Sequence, residues 1–351
     1  MGSWFTENYI FIIIALGTMT LGLVNGAFGV FLVLKKQALV GDALSHATLP
    51  GIVLAFMFTQ SKNMIVLLVG AAMSALFAML VLEIIKRFSN IKSDAGLALI
   101  LSSFFGFGQV LLLIVQTTGD GSQVGINSFI FGQAATMLKS DVIFIIAVSL
   151  FVLLVILLFW KELKICIFNS EFSHSLGYKN KIINAIINVL VVIVVTISIK
   201  TVGVILMSAL LIAPAVASRQ FSNKLSINVI LAGLIGLLSA FVGTTISSSV
   251  TNLPTGPVIV VVLCSLVILA LFFSPKTGIL FKVIKDKYHK HQIIKYHILI
   301  HAYHHGNLVT ELNNIDMMIN NGYISKEKDK YLLTQKGVCK VEAIIGEENG
   351  C

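Results

Sequence analysis

Three observations predict an all-α polytopic membrane protein of about nine transmembrane helices, followed by a small C-terminal α+β module. The 351 residues are 57% hydrophobic and only 12% charged, with a mean hydropathy of +0.95. No soluble domain of this size needs so much apolar sequence. Apolar runs recur at about 8–34, 40–59, 63–85, 95–116, 141–160, 182–199, 202–217, 226–246 and 255–273. Most approach the roughly 20 residues a helix needs to cross a bilayer; the seventh is short. After Lys276 the chain turns abruptly polar. A membrane domain over 1–280 and a cytoplasmic module over 285–351 are the expected units.

The first run has no basic n-region and no small-residue cleavage site, so it is expected to be a retained span and not a removed signal. Connections alternate in charge. Lys35-Lys36, Lys86-Arg87 with Lys92, Lys161 to Lys181, Arg219 with Lys224, and Lys276 with Lys282 fall on one side. Positive loops stay inside, which places the C-terminus in the cytoplasm of a bacterial inner membrane. The net charge of +9 is thereby accounted for by orientation in lipid, and no nucleic-acid partner is expected. Glycine and small residues recur at helical spacing, at Gly22 and Gly26, Gly203, Ser208 and Ala209, Gly233 and Gly236, and Ser239 and Gly243. Close helix packing is the expectation.

The second run carries the chemistry. In Gly41-Asp42-Ala43-Leu44-Ser45-His46-Ala47-Thr48-Leu49-Pro50-Gly51, a carboxylate and an imidazole stand four residues apart. At 3.6 residues per turn they share a helix face, with Cβ atoms roughly 6 Å apart. An ionisable pair in hydrocarbon is costly and marks a substrate or ion path. Pro50 lacks an N–H and leaves the carbonyl of His46 without its helical donor. Oxygen and nitrogen groups thus cluster on about one turn, as a cation site requires. A plain Asp–His hydrogen bond locking two helices is the structural alternative. Pro214, in the seventh run, would free the carbonyl of Leu210 in the same way, so Pro50 and Pro214 are candidate helix-break or gating positions; a kink merely tolerated at Pro214 is the equal alternative.

Between the fifth and sixth runs, Ser170 is a candidate cap, Glu171 suits a first helical turn, and Gly177 can close the helix. Phe172 and Leu176 would share one face of this two-turn helix, a place for an ATPase to grip in a transporter. The polar tail shows helical patterning at Leu308, Leu312, Ile315 and Ile319, with Gly322 at a C-cap position. Short strands are expected around a charged turn at Ser325–Lys330. Thr334 then caps a last helix with Val338, Val341 and Ile344. This pattern is of the winged-helix type. The tail holds six of the eight histidines, and His297, His301 and His305 fall at i, i+4, i+8. A regulatory metal site is one reading; a solvated polar face is the other.

No GxxxxGK[ST], HExxH or GxSxG pattern occurs, so the chain carries no phosphate-cradling loop and is not expected to be an enzyme. Four scattered cysteines without CxxC spacing argue against a disulfide framework and a thiolate cluster.

Leu39 to Gly51 closely resembles the signature of permease subunits of bacterial ABC importers for manganese, zinc and iron. Val202 to Ala215 and Leu253 to Pro257, with the following run to Gly278, are similar to two further blocks of that family. The resemblance covers about 8–280. It implies a transmembrane metal permease that pairs with a second copy or a paralogue. A cytoplasmic ATP-binding-cassette ATPase and an extracytoplasmic metal-binding lipoprotein complete the implied machine. It places metal ligands at Asp42 and His46, and ATPase coupling at Glu171, Phe172, His174, Leu176 and Gly177. No cofactor is expected to be held permanently; the cargo is Mn²⁺, Zn²⁺ or Fe²⁺. Carboxylate with imidazole suits all three ions. His46 would release metal on protonation, near the ordinary imidazole pKa of about 6.5. Rival readings are a proton-coupled secondary carrier using Asp42 and His46 as a relay, and a membrane-tethered metal-responsive regulator.

Overall fold

The computed structural model describes residues 9–60, 63–118, 132, 137–250, 253–274, 278–305, 315–327 and 330–345. The packing divides the chain into two units, meeting between Leu271 and Phe272.

The first unit is helical throughout its described residues. It comprises α1 (Tyr9–Leu34), α2 (Leu39–Thr59), α3 (Met64–Phe88), α4 (Ser93–Thr118), α5 (Lys139–Leu158), the short α6 (Trp160–Phe168) and α7 (Ser170–Ser175), then α8 (Asn180–Val202), α9 (Val204–Phe221), α10 (Leu225–Ser249) and α11 (Thr255–Phe273). Local chemistry sets several ends. Asn63 accepts a hydrogen bond from the Ile65 N–H at 3.0 Å, and Lys86 and Arg87 stand in the last turn of α3, where cations suit the helix dipole. Asp141, in the first turn of α5, accepts from the Leu138 N–H at 3.0 Å.

Among the described residues eight helices are long and apolar enough to cross a membrane, not nine. The segment expected as a seventh span is carried by α9, whose apolar stretch Leu206–Phe221 is shorter. The 18 residues of α9 rise about 27 Å, a little under the roughly 30 Å hydrocarbon thickness. Gly203 sets its N-terminal end. Its φ of 87°, open to glycine at little cost, ends α8 and starts α9 across a single residue.

Hydrophobicity alone does not drive helices together in lipid, where close approach of small residues does. The glycine spacing is used in that way between α1 and α10. A Cβ on Gly22 would meet the carbonyl of Gly236, and one on Gly26 the carbonyl of Ala232. Polar side chains within this packing pair internally: Thr18 with Thr244 at 2.9 Å, and Asn25 Nδ2 to Ser198 Oγ at 2.8 Å. The core runs through Phe28, Phe31, Leu32, Leu44, Ile52 and Ile187. Large apolar side chains such as Phe77, Leu150, Leu157 and Val261 point outward, as lipid-facing residues do.

The second unit contains α12 (Ile279–Lys295), α13 (His297–His305), α14 (Ile315–Asn320), β1 (Ile324–Glu327), β2 (Lys330–Leu333) and α15 (Gln335–Ile345). Tyr296, Leu299, Met318, Ile324, Val341 and Ile344 form its core. The strands pair antiparallel, with Ile324 opposite Leu333 and Glu327 opposite Lys330. Ser325 to Glu327 and Lys330, expected in the turn, therefore belong to the strands. Gly322, at φ 71°, closes α14, and Thr334 Oγ1 caps α15 by accepting from the Gly337 N–H at 3.1 Å. Leu308 and Leu312 lie outside the described residues. Cys339 is disulfide-bonded, which the scattered cysteine spacing did not foretell.

Candidate functional site

Asp42 and His46 lie on α2, which α3, α4 and α9 enclose. The approach is close on each side. A Cβ on Gly51 would meet the Gly70 carbonyl of α3, Gly108 of α4 abuts Leu49 and Pro50, and a Cβ on Gly41 would come within 2.6 Å of Leu211 on α9. Ser74 of α3 donates a hydrogen bond to the Ala47 carbonyl at 2.6 Å. Between Val40 and Val53 every residue is buried except Asp42 and His46. The one open stripe on this stretch of helix is the polar pair.

Asp42 Oδ1 and His46 Nε2 are 3.7 Å apart, with side chains 32% and 16% exposed. That separation is too long for a direct hydrogen bond, yet suits two donors converging on a third atom. The His46 ring meets Phe105 of α4 edge-on, with centroids 4.8 Å apart. His46 Nδ1 is buried without a hydrogen-bond partner. Metal-bound imidazoles usually have the second nitrogen held by an outer group; among the described residues that group is not supplied. No cluster of three or more His, Cys, Asp or Glu occurs among the described residues.

Neither proline interrupts its helix. Pro50 stands inside continuous α2 and Pro214 inside continuous α9. The break in this part of the molecule is at Gly203. Pro50 instead lines an apolar cavity of about 540 Å³ between α2, α3 and α4, with Gly51, Met73, Ser74, Phe77 and Phe104 on its walls. Asp42 and His46 do not line it.

The expected two-turn helix is α7, Ser170–Ser175. Its cap is Asn169, not Ser170: Asn169 Oδ1 accepts from the Phe172 N–H at 2.9 Å. Gly177, at φ 84°, closes it, with the Tyr178 N–H bonded to the Ser173 carbonyl and the Gly177 N–H to that of His174. This paired closure needs a left-handed residue. Asn180 ties the helix to the start of α8, accepting from Ser173 at 2.6 Å and donating to the Ser170 carbonyl at 2.7 Å. Phe172 and Leu176 are exposed by 54% and 51%, and Glu171 and His174 are exposed beside them. An apolar face is thus held rigidly at the surface. Nearby, burial holds the Lys35 ammonium below its usual range, and burial pushes the Cys166 thiol up.

In the second unit, the His297 and His301 rings lie 6.4 Å apart on α13; the His305 side chain lies outside what is described. Sequence reasoning missed Phe105, Ser74 and Leu211, which reach α2 from other helices. No local spacing signals them.

Residues 8–274 match the family model described as the ABC 3 transport family. The chain is 44% identical over 270 residues to the zinc transport system membrane protein TroC of Treponema pallidum, covering 77% of this chain and 91% of that protein. It is 39% identical over 269 residues to the manganese transport system membrane protein MntC of Bacillus subtilis, covering 77% of this chain and 62% of that one. Its fold is similar to PsaBC from Streptococcus pneumoniae, solved in complex with a Fab, with a TM-score of 0.70 and 27% identity. That match covers 82% of this chain and 100% of the other.

Proposed function

The chain belongs to the ABC 3 transport family, and we propose that it passes Zn²⁺ or Mn²⁺ across the membrane over Asp42 and His46. It is the permease subunit of a metal ABC importer, a multi-span membrane protein whose ATP is hydrolysed by a separate subunit. Membership of this family sets aside the proton-coupled carrier and the tethered regulator. The cargo reading is supported by relatives named for zinc and manganese. One observation carries the site: on the enclosed stretch of α2, only the carboxylate and the imidazole are open.

Two ligands per chain leave a transition-metal ion under-coordinated. A second permease copy, presenting its own Asp42 and His46, would complete the set and could supply a partner for His46 Nδ1. An extracytoplasmic binding protein delivers the ion. A carboxylate brings charge and a neutral imidazole a borderline nitrogen, which together hold Mn²⁺ or Zn²⁺ without trapping it as thiolates would. The ATPase grips α7 through Phe172 and Leu176, with Glu171 and His174 at the rim. Because Gly177 and Asn180 fix α7 to α8, movement of the ATPase is passed to the spans.

The charge bias of the connecting turns favours a C-terminus on the cytoplasmic side of an inner membrane; the described tail holds helices and one two-stranded ladder and is not assigned to the winged-helix type. A cytoplasmic compartment would keep Cys339 reduced. Thiol titration of Cys339 in intact cells therefore tests the side as well as the bond.

The experiment is uptake of Zn²⁺ and Mn²⁺ by proteoliposomes holding the permease with its ATPase and binding protein. ATP-dependent accumulation of either ion, lost with Asp42→Ala and His46→Ala, is expected. Unchanged uptake in both variants would overturn the site.

A further inference from the structure

We propose that α12 is an interfacial anchor, apolar in its first turns and basic beyond them, for a bilayer surface bearing anionic phospholipid. None of its 17 residues is buried. Yet Ile279, Leu280, Phe281, Val283, Ile284 and Tyr288 stand open, each exposed by between 42% and 65%. Within the second unit no described element covers them. A helix with this much bare apolar surface needs a partner that accepts apolar side chains.

Charge says what that partner is. Lys282, Lys285, Lys287, Lys290 and Lys295 face a single acidic residue of the helix, Asp286, so α12 carries five positive charges against one negative. The apolar residues crowd its first two turns, and the lysines follow and flank them. An interfacial segment has this composition: its apolar turns sink to the headgroup boundary while long lysine stems carry their ammonium groups to the phosphates. Anionic headgroups attract such juxtamembrane lysine clusters. Position agrees. Only five residues separate the end of α11 at Phe273 from Ile279, and such a link stretches no further than about 20 Å. The helix is therefore tethered close to where the last span leaves the bilayer. An acidic protein surface would satisfy the lysines but not the open apolar turns beside a membrane.

The test is hydrogen–deuterium exchange of the full chain in two nanodiscs, one of phosphatidylcholine alone and one with phosphatidylglycerol added. Exchange across 279–295 should slow by roughly threefold or more in the anionic disc at low salt, and the difference should shrink at high salt. Replacing Lys282, Lys285, Lys287 and Lys290 together by Gln should erase the dependence on lipid charge. All four are exposed, so unchanged exchange in the spans reports an intact permease. Equal exchange in both discs would overturn the anchor. So would protection that arises only when the ATPase is added, which would make α12 a protein-docking helix.

Discussion

Asp42 and His46 face one another across 3.7 Å on successive turns of α2, the open stripe of a helix otherwise walled in by its neighbours. At that separation the pair makes no direct hydrogen bond. Removing either side chain should lower metal uptake by at least roughly 10–100-fold, the range for weakening a metal's surroundings. Insertion and expression should be preserved, because both side chains are partly open. Metal accumulation measured beside membrane-fraction abundance separates the two effects.

Phe172 and Leu176 are exposed, and among the described residues nothing covers them. Phe172→Ala with Leu176→Ala should leave cargo binding intact and remove ATP-driven transport, read as loss of co-purifying ATPase. Gly177→Ala forces a Cβ into left-handed backbone at a cost of about 1–2 kcal/mol. It should loosen α7 and cut transport without affecting cargo binding. Full coupling in the double variant would exclude this face.

Gly22 and Gly236 bring the backbones of α1 and α10 together. Gly22→Leu has no room to be accommodated and should abolish the folded permease, seen as loss of monodisperse protein in detergent. Gly106 has no neighbour within 4 Å of an added Cβ. Gly106→Ala should therefore fold normally, more stable by up to about 1 kcal/mol from helix propensity. Equal behaviour of the two variants would mean that close packing is not what holds α1 and α10.

Cys166 is buried and its thiol is pushed up by that burial. Thiolate is the reactive form, so alkylation should be slow at neutral pH and accelerate only above the ordinary thiol range. A neutral-pH rate matching that of a small free thiol would show that the α6 surface opens in solution.

The resemblance in the Leu39 to Gly51 stretch, the shared face of Asp42 and His46, and the closing role of Gly177 were all legible in the chain, because each depends on a few neighbouring residues and helical period. The capping residue of α7 was misread by one position, since Asn169 and Ser170 are both competent and only the path from α6 selects between them.

Sequence alone determined that the protein lives in lipid, that a carboxylate and an imidazole share one turn there, and that a polar module follows. Tertiary structure decided that α9 is enclosed, that Pro50 and Pro214 stay within helices, and that Phe105 and Ser74 reach α2 beside the polar pair. The physical reason lies in the solvent. Hydrocarbon is as apolar as leucine, so hydropathy does not distinguish a face packed on protein from one facing lipid. Only the contacts between distant helices show that, on α2, the polar pair is the side left open.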